Sequence, residues 1–273
     1  MAVLNQNLPQ AWTPEDYGTL IDLVIAEQSI AFQAATKIST TSETWRTPMH
    51  TADPAVAWYG ENTTIALADP SASELVVTPK KVAGRTQISN EAAQDTNPAA
   101  AENTGRSLAR SVAKGIDKAF FANTTSGGPS GLLSLTGINV VDTGTYTLTS
   151  RDAFIKAKYA ARADGAELTH FILALDVAEA LELAKENGES NKPLFDDIAT
   201  LAGVTVLVSP DIAPGNAWGL DSSQVFTVQR TGTTIVKDAS AAFAEDAVQV
   251  RATARVGFGF ANPAGVVRLH DAA

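Results

Sequence analysis

The chain contains no cysteine and only three histidines, His50, His170 and His270, in 273 residues. Disulfides, thiolate catalysis and cysteine-ligated zinc or iron–sulfur centres are thereby excluded. Charged residues make up only 18% of the sequence, and among them 30 acids face 20 bases, for a net charge of −10. The isoelectric point is near 4.8. A uniformly basic nucleic-acid binder is excluded, although a local basic face is not. No apolar run approaches the ~18 residues that a membrane span requires. The start, Met1 to Gln6, has neither a basic n-region nor an apolar h-region, so no secretory signal is read there.

Catalytic signatures are missing as well. The nearest approach to a Gly-x-Ser-x-Gly elbow is Gly127-Gly128-Pro129-Ser130-Gly131. It follows a helical pattern, whereas a nucleophile elbow follows a strand. Gly257-Phe258-Gly259 continues as strand and lacks the third glycine and the helix of a dinucleotide fingerprint. Asp196-Asp197 and Glu245-Asp246 are adjacent acids, which point apart on a strand and read as solvated or capping residues. His170 opens a buried-type strand and reads as a structural imidazole. No Walker loop, His-Glu-x-x-His or EF-hand loop is present, and neither cofactor nor metal is expected.

What is present is 45% apolar residues and a mean hydropathy of 0.00, the composition of a soluble globular chain of one or two domains with a real core. Residues 1–12 read as an extended arm. Thr13-Pro14-Glu15-Asp16 opens a helix to about Ser29, with a cap, a proline at the first helical position and two acids against the dipole. Strand-like runs at 55–59 and 74–82 flank a polar stretch, with a loose tip at Asp69-Pro70. They read as a long hairpin, which is marginal alone and is expected to lie against another molecule; an ordinary surface excursion is the alternative.

Arg85–Ser89 reads as a short strand, and Asn97-Pro98 caps a helix to about Ala122, roughly 36 Å long. Leu108, Val112, Ile116 and Phe120 form its apolar stripe. Arg106, Arg110, Lys114 and Lys118 repeat at the same spacing, two positions out of phase, on the opposite face. This second stripe reads either as a local basic face for a polyanion or as a solvated face with partial pairing to Glu102 and Asp117. Further on, Thr149-Ser150-Arg151-Asp152 starts a helix ending at Asp164-Gly165. Asp176 caps another, ending at Asn187-Gly188. Strands are expected at 170–175, 204–208, 247–256 and 266–269, with a hairpin of 224–230 and 233–237. The class is α+β with segregated pieces.

The order of landmarks from Trp58 to Leu133 resembles the major capsid proteins of tailed phages with the Hong Kong 97 fold. The resemblance rests on Trp58-Tyr59-Gly60-Glu61, on Pro79-Lys80-Lys81-Val82-Ala83-Gly84-Arg85 and on Ile88-Ser89-Asn90-Glu91. It continues through Ile116-Asp117-Lys118-Ala119-Phe120, Pro129-Ser130-Gly131-Leu132-Leu133, Leu201-Ala202-Gly203-Val204 and the 243–255 stretch.

The resemblance implies an N-terminal arm and helix (1–50) and an extended β-hairpin loop (51–84). It further implies a peripheral domain (85–131 and 243–273, spine helix 98–122) and an axial α/β domain (132–242). It makes Trp58, Tyr59, Glu61, Asp69, Pro70 and Arg85 candidate subunit contacts, and Arg106, Arg110, Lys114 and Lys118 candidates to face packaged DNA through non-specific contacts. The implied function is a non-enzymatic, self-assembling icosahedral shell of pentamers and hexamers around a double-stranded DNA genome. The implied location is the virion, assembled in the host cytoplasm without membrane. The implied partners are a portal, a separate scaffolding protein (unless none is needed) and a cement protein. Relatives that weld their shells join a loop lysine to a neighbour's asparagine; residues 51–79 contain no lysine, so no such bond is expected, even with Asn262 as an acceptor. Two rivals are an encapsulin-type nanocompartment on the same fold and an α+β hydrolase using His50 or His170.

Overall fold

The computed structural model describes residues 29–52, 54–69, 71–89, 99–144, 148–186, 191–195, 197–230, 233–238 and 240–271. The expected arm and the helix at 13–28 lie outside them. In chain order the first elements are α1 (Ile30–Gln33), β1 (Thr36–Thr40), β2 (Trp45–Ala52), β3 (Ser71–Val77), β4 (Lys80–Ser89) and α2 (Ala99–Phe121). Next come β5 (Asn139–Asp142), α3 (Arg151–Ala163), β6 (His170–Ala174), α4 (Leu175–Leu183), β7 (Thr200–Leu201) and β8 (Val204–Ser209). The chain ends with β9 (Ala217–Leu220), β10 (Val225–Arg230), β11 (Thr234–Asp238), β12 (Ala247–Phe260) and β13 (Val267–His270).

The long helix forms as its periodicity predicts. Val112, Ile116 and Phe120 are buried and Leu108 is partly so, while Arg106, Arg110, Lys114 and Lys118 are all exposed. The apolar stripe of α2 packs on a five-stranded sheet built around β12. The Phe120 ring meets Phe258 edge-on, with centroids 5.0 Å apart, and stacks on Phe260. β4 pairs along one side of β12, from Ala247 opposite Ser89 to Val256 opposite Lys80.

The expected hairpin of 224–230 and 233–237 does not form. β10 and β11 both run antiparallel to β12 on its other side, end to end, β10 against 256–260 and β11 against 249–253. A 14-residue strand offers two partners in succession, so the chain continues in one direction instead of turning. β1 adds to the far side of β10 in parallel.

A six-stranded sheet in the order β5-β13-β9-β6-β8-β7 forms the second unit. α3 and α4 pack on it. The Ser150 side chain caps α3 by accepting from the Asp152 amide, as expected. α4 stops at Leu183, short of the expected Asn187. Asp176 lies in its first turn, where its carboxylate accepts from the Gly215 amide at 2.7 Å. β7 and β8 are joined by Ala202-Gly203 with both φ positive, the two-residue turn that suits a tight hairpin. The sheets also cut the chain differently from the expected segment boundaries. β10 and β11 belong with β12, and the terminal β13 pairs with β5 and β9. Arg268 of β13 donates to the Asn216 side chain at 2.9 and 3.1 Å and lies over the Trp218 ring, which fixes that last strand in place.

Candidate functional site

The long hairpin is β2 with β3, paired from Trp45 opposite Val77 to Ala52 opposite Ser71. The expected strand at 55–59 is instead part of the tip, because no neighbouring strand reaches it. The run 74–82 is also divided. Pro79 supplies no amide proton to a ladder, and it separates β3 of the hairpin from β4 of the five-stranded sheet.

The tip is exposed throughout residues 54–69, yet it has internal bracing. The Thr63 amide and hydroxyl both donate to the Gly60 carbonyl, closing a turn in which Asn62 has φ 65°. Asparagine is among the side chains that adopt this conformation most readily. Across the tip, the Ala66 amide donates to the Tyr59 hydroxyl at 3.2 Å. This bracing presents apolar side chains to solvent. Trp58 is 104% exposed, Leu67 101%, Val56 94% and Ile65 71%. The four large apolar side chains are thus carried, exposed, on one projecting tip.

The root of the hairpin is seated firmly. β3 crosses β12 at Gly257 and Gly259. A Cβ at Gly259 would lie 2.7 Å from Val77 Cγ2, and one at Gly257 would lie 2.8 Å from Val77 Cγ1 and 3.2 Å from Pro79 Cα. The two glycines therefore let the hairpin root lie directly on the strand. The Trp45 and Phe226 rings, 5.3 Å apart, hold the β2 side. Sequence reasoning assigned no role to these glycines, although glycine inside a strand is a sign of close backbone approach.

Of the candidate contact residues, Trp58, Tyr59, Glu61 and Asp69 share the tip, and Pro70 lies outside the described residues. Arg85 is elsewhere, on β4 beyond the root, directly opposite Arg251 of β12. The four bases of the α2 stripe share one exposed face. Arg110 and Lys114 also line a cleft of about 390 Å³ with Ile30, Gln33, Asp117 and Asp211.

Asp117 does not lie on that solvated face, contrary to the expectation of local pairing with the stripe. It is 6% exposed and accepts from the Ser29 hydroxyl and from the amides of Ile30 and Ala31, at 2.6, 3.2 and 3.0 Å. Burial pushes its carboxyl above the usual range, against the pull of those three hydrogen bonds. His170 is half-buried, its Nδ1 lies 2.9 Å from the Thr169 hydroxyl, and burial lowers its pKa. Gly131 is a close-approach glycine: a Cβ there would lie 2.2 Å from the Ala119 carbonyl oxygen at the end of α2. Among the described residues, no three His, Asp or Glu side chains group as a metal site, and no helix is long and apolar enough to cross a membrane.

The arrangement of long helix, central strand, projecting loop and separate α/β sheet recurs in solved structures. A capsid of a native GTA particle matches with a TM-score of 0.73 at 20% identity, covering 88% of this chain and 89% of that one. A structure from Mycobacterium phage Adephagia matches with a TM-score of 0.75 at 15% identity, covering 99% and 98%. One from Mycobacterium phage Bobi matches with a TM-score of 0.74 at 16% identity, covering 99% and 94%. No curated protein matches the sequence. The fold and the projecting loop define a shell subunit of the Hong Kong 97 type. The family model described as Phage capsid family matches residues 12–271, and the chain belongs to that family. It is a tailed-phage major capsid protein, a virion component that builds a homo-oligomeric icosahedral shell. The nanocompartment and hydrolase readings find no support in these likenesses.

Proposed function

We propose that the hairpin tip is the main contact by which one subunit of the shell holds the next. Trp58, Tyr59, Glu61, Asp69 and Pro70 form that contact, and the chain catalyses no reaction of its own. The observation that carries this reading is the full exposure of Trp58 and Leu67 on a turn that is already braced. A backbone turn that is already braced loses less conformational entropy on docking than an unbraced loop would, so such a tip favours association. A shell needs only moderate contacts of this kind, because closure makes many weak contacts cooperative. Replacing residues 54–69 by a short Gly-Ser turn tests it. The subunit should keep its circular dichroism and elute as a small species, with no particles by negative-stain microscopy. Normal shells from this variant would refute the reading.

The basic stripe of α2 carries a second assignment. Arg106, Arg110, Lys114 and Lys118 meet packaged DNA through phosphates, without sequence preference, supported by the exposure of all four on a chain of net charge −10. In this scheme the five-stranded sheet with α2 is the peripheral domain and the six-stranded sheet the axial domain meeting its copies in pentamers and hexamers. Assembly takes place in the host cytoplasm, with a portal, a scaffolding protein and a cement protein as partners.

A further inference from the structure

The solvent face of the five-stranded sheet places like charges directly against each other. Arg85 of β4 is opposite Arg251 of β12, and four residues along, Lys81 is opposite Arg255. All four side chains are exposed, and the period of two puts them in one row, opposite the face that α2 covers. Like charges directly opposite destabilise a strand pair. Among the described residues, no carboxylate forms an ion pair with any of the four. Asp238 is in the same row, opposite Gln249, but its carboxylate accepts from Ser240 and Ala241 and feels Arg251 only weakly. Val236, 46% exposed, sits opposite Arg251 on the other side of β12 and adds an apolar spot. A chain of net charge −10 thus concentrates on one small sheet face four bases that, among the described residues, form no ion pair.

The hairpin has the complementary character. Residues 51–79 hold Asp53, Glu61, Asp69 and Glu74 and no Lys or Arg. Glu74 is already paired with Arg46 at 3.2 Å. Glu61 and Asp69 remain exposed in the tip beside Trp58 and Leu67. Among the described residues, the two sets form no ion pair within one chain. The β2–β3 ladder carries the tip about 20 Å from the root, and the basic row begins at that root, with Lys81 two residues beyond Pro79.

We propose that the basic row Lys81, Arg85, Arg251 and Arg255 is the receptor for the acidic hairpin tip of a second copy of this chain, Glu61 and Asp69 pairing with the bases while a tip side chain covers Val236. This rests on the reading of the tip as the intersubunit contact. It explains why the strand pair tolerates its internal repulsion: the carboxylates that neutralise it arrive only on assembly, which makes the site selective for an acidic partner.

A charge-swap experiment on the full chain tests the pairing. Arg85→Glu with Arg251→Glu replaces one like-charged cross-strand pair by another and keeps the fold. Glu61→Lys with Asp69→Lys reverses the tip. Each double variant should lower particle yield about tenfold or more, and the quadruple variant should recover yield to within about threefold of wild type. A quadruple variant no better than the weaker double variant overturns the pairing. So does a sheet variant that assembles normally, including one that assembles normally but retains less DNA, which would assign the row to the genome. The tip-deletion variant run in parallel separates the two readings. If it assembles, the tip contact itself fails; if it does not assemble and the swap gives no rescue, only the charge match fails.

Discussion

Asp117 accepts a hydrogen bond from the Ser29 hydroxyl at 2.6 Å across 88 residues of sequence. The same carboxylate takes the first two amides of α1, and on the other side Thr227 of β10 donates its hydroxyl to the Ala31 carbonyl. A single acid on the long helix thus ties the chain that enters the fold to both the helix and the central sheet. Asp117→Ala leaves one buried hydroxyl and two buried amides without an acceptor, which costs about 3 kcal/mol or more. Denaturant unfolding of unassembled subunits should show a loss of that size; a loss below ~1 kcal/mol would contradict the role.

The same residue gives a pH signature. Burial raises its folded carboxyl above the ordinary 3.8. An acid whose folded pKa is raised contributes stability that is fully present below the unfolded value and lost as pH rises through the folded one. Relative to Asp117→Asn, the wild-type subunit should therefore be more favoured near pH 4 than at pH 7. A stability difference between the two that does not change with pH would show that Asp117 titrates normally.

Gly257→Val and Gly259→Val should displace the hairpin root. The new side chain meets Val77 from either glycine, and at Gly257 it also meets the Pro79 backbone. The core of α2 on β12 lies on other residues, so the subunit should still fold, losing about 1–3 kcal/mol as an overpacked contact. Shell assembly should fall much further than stability does. Normal particles from Gly259→Val would show that the angle of the hairpin is set elsewhere.

Local patterns in the sequence reached the helices and the exposed stripe because those depend on neighbours three and four residues away. Val112, Ile116 and Phe120 are buried and Arg110 and Lys114 exposed as the 3.6-residue period requires. The Ser150 cap was visible for the same reason. Strand partnership was not, because it is settled between distant segments. Nothing within 55–59 reveals that its alternation finds no partner, nor does anything near 231 reveal that β10 and β11 share β12. Asp117 was misplaced since its partners are at 29–31. The basic row was also beyond reach, as Arg85 and Arg251 become neighbours only through the β4–β12 register.

Arg110→Gln with Lys114→Gln tests the α2 stripe independently of the sheet row. Both side chains are exposed, so empty shells should form at wild-type yield. DNA retained per particle should fall most at low salt, and the difference from wild type should shrink as salt rises, since the phosphate contacts removed are the ones that ionic strength weakens. Unchanged retention at every salt concentration would leave the stripe a solvated face.

Covalent welding of the shell should be absent. In that chemistry a lysine amine attacks a neighbour's asparagine side-chain carbonyl and ammonia leaves. It needs an amine near the loop tip, desolvated enough to be neutral when it attacks. The first lysines after the hairpin are Lys80 and Lys81, held on β4 in register with Val256 and Arg255 and far from the tip. Asn262 is also engaged. Its side-chain oxygen accepts from the Gly265 amide and its nitrogen donates to the Asp164 carbonyl, so attack there would first have to break both bonds. Particles boiled in detergent should run as one band near the 28.5 kDa monomer. A ladder of multimers that survives boiling would overturn this and direct the search to a lysine outside the loop.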